Sequence, residues 1–267
     1  MSKVVLITGG SSGIGKSVGE FLKEKGFVVY GTSRNADNYK NHPFKLINLD
    51  VTNTESILKA VKTVISNEGT IDVLINNAGK GITGPIEETP TEEMRNTFET
   101  NFFGPIEVMK AVLPYMRNQK SGLIINVTSI AGYMGLPFRG IYSATKGALE
   151  IVTEAVRMEV KNFDIEVTNI APGDFATNIA AGRYHTPVFE NSPYQKTYQN
   201  NLDLMNEHVS GGSDPIAMAK AIYKIIQTKH PKIHYKTGDF MQKFSIVLKR
   251  ILPDKIYEKM LMNHYKL

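Results

Sequence analysis

Tyr142 and Lys146 are the two side chains of this sequence best suited to moving a proton, because they stand four residues apart in a stretch of helical pattern. Residues at that spacing share one face of a helix. A tyrosine near its unperturbed pKa of about 10 is a poor base at neutral pH, but a neighbouring ammonium favours the phenolate. The pair therefore indicates acid–base catalysis, although Tyr-x-x-x-Lys alone is common on protein surfaces.

Ser129 lies thirteen residues before Tyr142, just after the apolar run Leu123–Val127. In an open α/β sheet, ligands bind beyond the carboxyl ends of the strands. A hydroxyl at that point is well placed to give a substrate oxygen a second hydrogen-bond donor. The alternative is a turn cap, which is a common use of serine.

A glycine-rich turn follows the first apolar run, Val4–Ile7, and precedes a helical stretch. It contains Gly9, Gly13 and Gly15, a spacing wider than the common G-x-G-x-x-G form. Glycines let the backbone approach a pyrophosphate, and a helix N-terminus offers free N–H groups to it. The turn therefore predicts a dinucleotide-binding site, against the alternative of an ordinary strand–helix turn.

The end of the second apolar run, at Tyr30–Arg34, bears on which dinucleotide binds. NAD-selective sites usually carry an acid there for the ribose 2′-OH. This chain has Ser33 and Arg34 instead, and a guanidinium can engage two oxygens of a 2′-phosphate. Ser12 adds a hydroxyl from the glycine-rich turn. We therefore expect NADP(H) rather than NAD(H), unless Arg34 is only a solvated surface charge.

The elements that must position these residues alternate as short apolar runs and longer stretches of helical period. Apolar runs without polar alternation are typical of strands covered on both faces. The expected strands are Val4–Ile7, Phe27–Tyr30, Lys45–Leu49, Val73–Ile75, Leu123–Val127 and Glu166–Ile170, and the expected helices are Lys16–Lys25, Thr54–Asn67, Thr91–Arg117 and Ser143–Asn162. This alternation predicts an α/β fold, a Rossmann-type doubly wound parallel sheet with helices on both faces, in a single domain of residues 1–267.

Two segments depart from that alternation. Residues 175–212 are weakly patterned with scattered aromatics, and because long irregular segments are often lids or binding loops we expect a substrate loop there. Residues 240–267 form a basic amphipathic tail, in which Pro253 should end a helix whose apolar face consists of Phe240, Phe244, Val247, Leu248 and Ile251. We expect that face to pack on the core or on another subunit; the alternative is an anionic membrane surface.

The composition excludes several classes of protein. The chain has no cysteine, which excludes disulfides, thiolate catalysis and cysteine-ligated metals, and we expect no metal site. No apolar run approaches the roughly 18 residues that span a bilayer, and nothing resembles an export signal, so we expect a cytoplasmic protein. From Thr228 onward nine basic and three acidic residues give a net charge of +6, against −1 for the rest of the chain. Because the main body is neutral, nucleic-acid binding is not expected.

Further motifs, in order with those above, resemble the short-chain dehydrogenase/reductase family in its compact single-domain branch. The motifs are Thr8–Gly15, Asp50-Val51, Asn76-Asn77-Ala78-Gly79, Asn101-Phe102-Phe103-Gly104, Ser129, Tyr142-Ser143-Ala144-Thr145-Lys146, and Pro172-Gly173 followed by Thr177. Any one of them is modest evidence, whereas all of them in family order argue strongly against coincidence.

The resemblance implies four catalytic residues. Tyr142 would be the acid/base, and Ser129 would orient and polarise the substrate oxygen. Lys146 would assist the tyrosine and hold the nicotinamide ribose, and Asn101 would support a water that links Lys146 to solvent. The implied cofactor-binding residues are Gly9, Ser11, Ser12, Gly13, Ile14, Gly15, Ser33, Arg34, Asp50, Val51, Asn77, Ala78, Gly79, Tyr142, Lys146, Pro172, Gly173 and Thr177.

Several of these residues have other possible uses. Asn76 and Asn77 could be turn residues after a strand, Asp50 could cap the helix near Thr54, and Asn101 could be a buried amide that bonds nearby backbone. One position departs from the family pattern: Phe175 stands where a smaller aliphatic residue is usual.

The resemblance thus implies an NADP-dependent oxidoreductase that moves a hydride between NADP(H) and a carbonyl or alcohol, and we expect a homodimer or homotetramer. Its substrate should be hydrophobic, as in the family's hydroxysteroid dehydrogenase-like members, because the candidate pocket residues are Met134, Pro137, Phe138, Phe175, Tyr184 and Phe189. Competing hypotheses are a sensor that binds the cofactor without chemistry, an NAD-dependent dehydrogenase, and an epimerase or dehydratase that uses the same tyrosine.

Overall fold

The part of the chain that the structure describes, a computed structural model, consists of residues 2–175, 182–210 and 212–267, without the side chains of 206–210. The strands are β1 (Val4–Ile7), β2 (Val28–Ser33), β3 (Lys45–Asn48), β4 (Val73–Asn76), β5 (Ile82–Thr83), β6 (Gly122–Val127), β7 (Ile165–Pro172), β8 (Tyr184–His185) and β9 (His234–Thr237). The helices are α1 (Gly13–Glu24), α2 (Thr54–Glu68), α3 (Thr91–Phe98), α4 (Gly104–Gln119), α5 (Gly140–Glu159), α6 (Gln195–Ser210), α7 (Pro215–Gln227), α8 (Phe240–Ile251) and α9 (Asp254–Tyr265).

Seven parallel strands form one sheet in the order β3-β2-β1-β4-β6-β7-β9, while β5 and β8 pair separately. The chain first builds outward from β1 to β3, then returns to the other side of β1 and builds outward again from β4. In such a doubly wound sheet the ligand crevice lies beyond the carboxyl ends of the strands where the order reverses, here β1 and β4. The expected fold class is confirmed.

Helices cover both faces of the sheet. On one face Ile57 of α2 and Val108 of α4 belong to a buried cluster that includes Leu6 of β1. On the other face Val18 of α1 and Ile222 of α7 pack with the remaining β1 side chains. Because alternate residues of a strand point to opposite faces, a sheet covered twice needs apolar residues at every position.

All six expected strands are present in the sheet, but the sequence did not reveal its seventh strand, β9, or the short pair β5 and β8. Strand β9 pairs with β7 at the edge of the sheet, and its residues are His234, Tyr235, Lys236 and Thr237. All four side chains are partly exposed. An edge strand with this polar composition carries no apolar run, which was the signal used to find strands.

The expected helix Thr91–Arg117 is divided into α3, a π-helical turn at Glu99–Phe103, and α4. Pro105 lies near the start of α4 and has no N–H to donate to the carbonyl of Asn101, four residues earlier. The regular hydrogen-bond pattern therefore cannot pass through Asn101. Turns of this kind occur often at functional sites.

The segment 175–212 is more regular than expected. It contains β8 and the sixteen-residue helix α6, in which Tyr198, Leu202 and Met205 are buried at i, i+4 and i+7. This stripe is present in the sequence but is hidden among polar residues. Residues 176–181 and 211 of the expected substrate loop lie outside the described part.

The tail forms two helices, and Pro253 separates them as expected. The expectation that its predicted apolar face packs on the core is wrong. Of that face only Leu248 packs with buried residues, whereas the contact with the core is centred on Ile246, on the other side of α8. Tyr257 of α9 is buried against Met134 in the same cluster.

A buried amide network beneath the site gives a test of the fold. Asn126 accepts from Nδ2 of Asn76 and donates to Oγ1 of Thr153, both at 2.9 Å, and its side chain is fully buried. Asn126→Ala removes one hydrogen bond from each partner, at about 0.5–1.5 kcal/mol apiece, and leaves a small cavity, although Asn76 keeps its bond to the Pro105 carbonyl and Thr153 its bond to the Leu149 carbonyl. We expect urea denaturation to show a loss of about 2–4 kcal/mol, against less than about 0.5 kcal/mol for the exposed Asn263→Ala. Equal losses in the two variants would contradict the network's role.

Candidate active site

A cavity of about 1020 Å³ opens beyond the carboxyl ends of β1, β2 and β4, where the strand order reverses. Most of the predicted cofactor-binding residues line it: Gly9, Ser11, Ser12, Gly13, Ile14, Ser33, Arg34, Asp50, Val51, Asn77, Ala78, Gly79, Tyr142, Lys146 and Pro172. Of the remaining three, Gly173 lines a smaller neighbouring cavity, Gly15 lines neither, and Thr177 lies outside the described residues.

Two glycines shape the turn between β1 and α1. Gly9 has a φ of +67°, a backbone conformation that residues other than glycine rarely adopt. Gly15 lets α1 approach the turn, since a Cβ there would lie 2.2 Å from the carbonyl oxygen of Gly9. Its contribution is therefore close packing. Ser12, the N-cap of α1, makes no side-chain capping bond, so its hydroxyl is available to a ligand at the helix N-terminus.

Asn77 fastens this turn to the end of β4. Its Nδ2 donates to the carbonyl oxygens of Thr8 and Gly9, at 3.0 and 3.1 Å. In return, Oγ1 of Thr8 accepts from the backbone N–H groups of Asn77 and Ala78, both at 3.0 Å. These four bonds fix the two strand ends to each other on either side of the switch point. Asn77 thus stabilises the turn and also lines the large cavity.

The far end of the large cavity holds Arg34 and Asp50. Arg34 follows β2, is exposed, and makes no ion pair with any residue that the structure describes. Asp50 accepts from the backbone N–H and the hydroxyl of Thr52, at 2.9 and 2.8 Å. It does not cap α2, because Asn53 is the N-cap and accepts from the N–H of Ser56 at 2.8 Å.

Tyr142 lines both the large cavity and a smaller one of about 70 Å³, whose wall also contains Ser129. The Oγ of Ser129 accepts from the N–H of Ala131 at 3.2 Å, so it caps a 3₁₀ turn. Accepting that bond leaves the hydroxyl proton of Ser129 available to a ligand. The two alternatives considered for Ser129 are therefore compatible.

Lys146 lies one turn after Tyr142 on α5 and is 5% exposed. Its Nζ donates to the carbonyl oxygen of Val127, the last residue of β6, at 3.0 Å. Burial lowers the pKa of Lys146 from its usual 10.5 to about 8. The side chain is therefore mostly cationic at neutral pH but gives up its proton far more readily than an exposed lysine.

Asn101 sits behind the cavity wall, fully buried in the π-helical turn. Its side chain bonds both backbone groups of Lys80 at 2.8 Å and donates to Oγ1 of Thr145 at 3.3 Å. A Cβ on Gly79 would lie 3.2 Å from Oδ1 of Asn101 and 3.5 Å from Nζ of Lys146. Asn101 is thus a buried amide that bonds the backbone, as one of the alternatives proposed. Its Oδ1 and the Nζ of Lys146 also lie on the same side of Gly79.

The smaller cavity differs from the expected substrate pocket. Among the described residues, Phe175 alone of the six candidates lines it, since Met134 packs under the tail and Phe189 is exposed. Phe138 packs instead against the ring of Tyr198. The cavity wall consists of Ile14, Gly81, Ile82, Ser129, Arg139, Tyr142, Pro172, Gly173, Asp174, Phe175 and Arg183.

Charged residues of that wall were missed by the sequence analysis. Arg139 lies three residues before Tyr142, and its guanidinium is 5.5 Å from the centre of the tyrosine ring, so helical spacing could have indicated it. Arg183 gave no such signal, because it reaches the cavity through the pairing of β8 with β5. Asp174 accepts from Nε2 of Gln242 at 2.8 Å, which ties the cavity wall to α8.

A model of the short chain dehydrogenase family matches residues 3–187 of this chain. The chain belongs to the short-chain dehydrogenase family. It is 40% identical over 264 residues to a protein of Bacteroides thetaiotaomicron named 3-ketodihydrosphingosine reductase, covering 98% of each chain. The protein is therefore an oxidoreductase of the short-chain dehydrogenase type.

Solved structures agree with this family. A short-chain dehydrogenase from Streptomyces avermitilis has a TM-score of 0.83 and 31% identity, covering 100% of this chain and 96% of the other. ElxO, solved with NADP bound, has a TM-score of 0.68 and 27% identity, with coverages of 88% and 98%. A family member from Burkholderia phymatum in complex with NAD has a TM-score of 0.79 and 21% identity, with 93% of each chain covered. Chains of this fold thus bind either nicotinamide dinucleotide.

Within the described residues, no group of histidines and carboxylates is arranged to hold a metal ion. None of the described helices has both the length and the apolarity to cross a bilayer.

The buried ammonium of Lys146 predicts a pH-dependent cost to folding. Below about pH 8, Lys146 is protonated in both the folded and the unfolded chain, and the full free-energy cost of burying its charge is present. As the pH rises from 8 toward 10.5 this cost fades, because Lys146 loses its proton in the folded chain first. At about 1.4 kcal/mol per pKa unit, lowering from 10.5 to about 8 costs roughly 3 kcal/mol. Lys146→Met removes this cost but leaves the Val127 carbonyl without its donor. We expect a net gain of about 1–2 kcal/mol at pH 7, which shrinks by pH 10.

Urea denaturation across that pH range measures this change. The exposed Lys59→Met is the control and should show no comparable gain or pH trend. A Lys146→Met variant less stable than the parent at pH 7 would show that the ammonium stabilises the fold, contrary to this account.

Proposed function

We propose that this oxidoreductase transfers a hydride between NADP(H) and a carbonyl or alcohol, with Tyr142 as the acid–base. The observation that carries the proposal is that Tyr142 lines two cavities, one large and walled by the glycine-rich turn, the other small and walled by Ser129. A single phenol facing both spaces can serve a cofactor and a substrate at once. A surface Tyr-x-x-x-Lys pair would face neither.

The residues of the large cavity fit a dinucleotide. Gly9 gives the turn its left-handed backbone, and Gly15 lets α1 pack against it. The N-terminus of α1 faces the cavity, with the Ser12 hydroxyl free of any capping bond beside it. Helix N-termini with free N–H groups favour phosphates. In this proposal Ser11, Ser12, Gly13 and Ile14 hold the pyrophosphate. Ser33, Arg34, Asp50, Val51 and Ala78 contact the adenosine half, and Asn77, Gly79, Tyr142, Lys146, Pro172 and Gly173 contact the nicotinamide half.

When bound, the nicotinamide supplies or accepts the hydride. Tyr142 gives its proton to the substrate oxygen during reduction and takes it back during oxidation, while Ser129 donates a second hydrogen bond to the same oxygen. The ammonium of Lys146 favours the phenolate form that Tyr142 passes through and bonds the nicotinamide ribose. Asn101 holds a water beside Lys146, through which the proton is replaced from solvent.

The substrate is proposed to be a hydrophobic ketone of the lipid class. Ile14, Ile82 and Phe175 give the small cavity an apolar wall beside Tyr142. The relative of 40% identity is named for the reduction of a keto group on a sphingoid base, and the similarity covers 98% of both chains. Steroid ketones, which the hydroxysteroid dehydrogenase-like resemblance suggested, are a further group to assay.

The cofactor preference is proposed to be NADP(H), on the strength of Arg34. It lines the large cavity just after β2, which ends in Ser33 and not in a carboxylate, and it makes no ion pair with any described residue. Acting in the cytoplasm and assembling as a homodimer or homotetramer are also predictions. Sedimentation velocity of the purified protein tests the assembly, and a fluorescent fusion tests the location.

Arg34→Ala should weaken NADPH selectively. A hydrogen bond to a charged group contributes about 1.5–3 kcal/mol, so we expect the NADPH dissociation constant to rise roughly 10- to 150-fold while that of NADH stays within about twofold. Fluorescence titration with both cofactors measures the two constants. Lys40→Ala, an exposed cation outside the cavity wall, is the control. Equal weakening of both cofactors would show that Arg34 does not read the 2′-phosphate.

Tyr142→Phe tests the reaction itself. With NADPH and a panel of long-chain, steroid and small sugar carbonyls, the parent should oxidise NADPH in step with ketone loss. The variant should lose a factor of about 10²–10⁴ in kcat/KM, the usual contribution of a positioned proton donor. Tyr115→Phe, which alters a phenol on α4 away from both cavities, is the matched control.

Three results would contradict the proposal. Substrate turnover without net NADPH consumption would indicate an epimerase or dehydratase. Tight NADPH binding with no turnover across the panel would indicate a sensor. A panel in which only small sugars react would contradict a hydrophobic substrate.

A further inference from the structure

The C-terminal helices α8 and α9 expose far more apolar surface than the rest of the described chain. Seventeen large hydrophobic side chains are exposed among the described residues, and eight of them lie within the last 28 residues. The eight are Phe240, Met241, Phe244, Val247, Ile251, Ile256, Met262 and Leu267. Contiguous exposed apolar patches mark interaction surfaces, whereas single exposed residues are ordinary.

Four of these residues form a stripe along α8, here called the apolar stripe: Phe240, Phe244, Val247 and Ile251. Their spacing puts them on one helical face, and the rings of Phe240 and Phe244 stack with centres 5.6 Å apart. Phe240 and Ile251 are each 72% exposed, whereas Ile246, on the other side of the helix, is 1% exposed. The helix therefore meets its own protein through one face and leaves a second apolar face without a partner among the described residues.

The charges around the apolar stripe indicate what covers it. Lys243 and Arg250 flank the stripe on α8, which contains no acidic residue, whereas Lys249 lies on the opposite side of the helix and pairs with Asp254 at 2.9 Å. A second copy of the chain docking stripe to stripe would bring two such basic helices together, and like charges facing each other oppose that contact. Anionic lipid headgroups complement the same charges, at about 1 kcal/mol for each Lys or Arg near the surface.

We propose that α8 and α9 lie in the plane of an anionic lipid membrane, with the apolar stripe buried at the level of the headgroups and upper acyl chains. Neither helix spans a bilayer, since each has 12 residues. An apolar face with flanking Lys and Arg is the pattern of helices that lie in the membrane interface. Binding of this kind does not depend on the proposed reaction.

The face of α8 opposite the apolar stripe contacts the wall of the small cavity. Gln242, two residues after Phe240, donates to Asp174 and accepts from the backbone N–H of the same residue at 3.4 Å. Asp174 lines the small cavity with Ser129 and Tyr142. A membrane bound by the apolar stripe would therefore lie across α8 from the wall of that cavity.

The test is co-sedimentation of the full-length protein with vesicles of pure phosphatidylcholine or of phosphatidylcholine mixed with phosphatidylglycerol. We expect binding to the mixed vesicles that weakens with added salt, and little binding to pure phosphatidylcholine. Lys243→Gln with Arg250→Gln should lower the partition coefficient roughly 25-fold, about fivefold for each charge. Phe240→Ser with Ile251→Ser should lower it at least about tenfold, because two large apolar side chains are lost.

Matched variants on another surface keep the test specific. Leu58→Ser with Ile86→Ser removes two side chains that are 54% and 60% exposed, and Lys59→Gln with Lys62→Gln removes two exposed charges; both should bind vesicles as the parent does. Circular dichroism confirms that every variant is folded. The proposal is overturned if the parent ignores anionic vesicles or if the stripe variants bind like the controls. It is also overturned if sedimentation velocity shows that the stripe variants dissociate an oligomer, because the stripe would then be a subunit contact.

Discussion

The ammonium of Lys146 is held in a buried position by one bond to the last carbonyl of β6, at 3.0 Å. Water would solvate that charge far better than the protein interior does, which is why its pKa falls to about 8. The rest of the fold has to offset this cost. The seven-stranded sheet brings the end of β6 to the crevice, and α5 carries the lysine and Tyr142 on one face. Burying the Lys146 ammonium thus destabilises the fold locally, and the hydrophobic clusters on the two faces of the sheet offset that cost.

A second constraint joins the two halves of the sheet. Asn77 and Thr8 exchange bonds across the switch point, so the glycine-rich turn and the end of β4 cannot move independently. Beneath them, the amide pair of Asn76 and Asn126 links β4 to β6 inside the core. The same two amides also bond the helices above them, Asn76 through the Pro105 carbonyl of α4 and Asn126 through the Thr153 hydroxyl of α5. The geometry of the site is therefore set by strand ends and not by flexible loops.

The sequence predicted the parts of this architecture that have strong periodicity. Six strands and the stretch around Tyr142 and Lys146 could be found because their residues repeat with the period of a buried strand or a helix. The edge strand β9 and the helix α6 escaped notice, since both are polar and owe their form to tertiary neighbours such as β7. For the same reason, Phe175 is the one expected pocket residue among those described that lines the small cavity. Arg183 reaches that cavity from the residue before β8, a two-residue strand whose pairing with β5 is not encoded in any local pattern.

The link from Gln242 to Asp174 has a practical consequence for anyone who shortens or extends this chain. A Cβ on Gly173 would fall almost on the Gln242 amide oxygen, so the end of β7 and the start of α8 fit together with no spare room. A truncation after β9 would remove the exposed apolar side chains of α8 and α9. It would also remove Gln242, the only described side chain that bonds the Asp174 carboxylate. Such a shortened protein should be easier to concentrate, and yet the wall of its small cavity should be less firmly held. Detergent screening of the intact chain is therefore the better route to crystals.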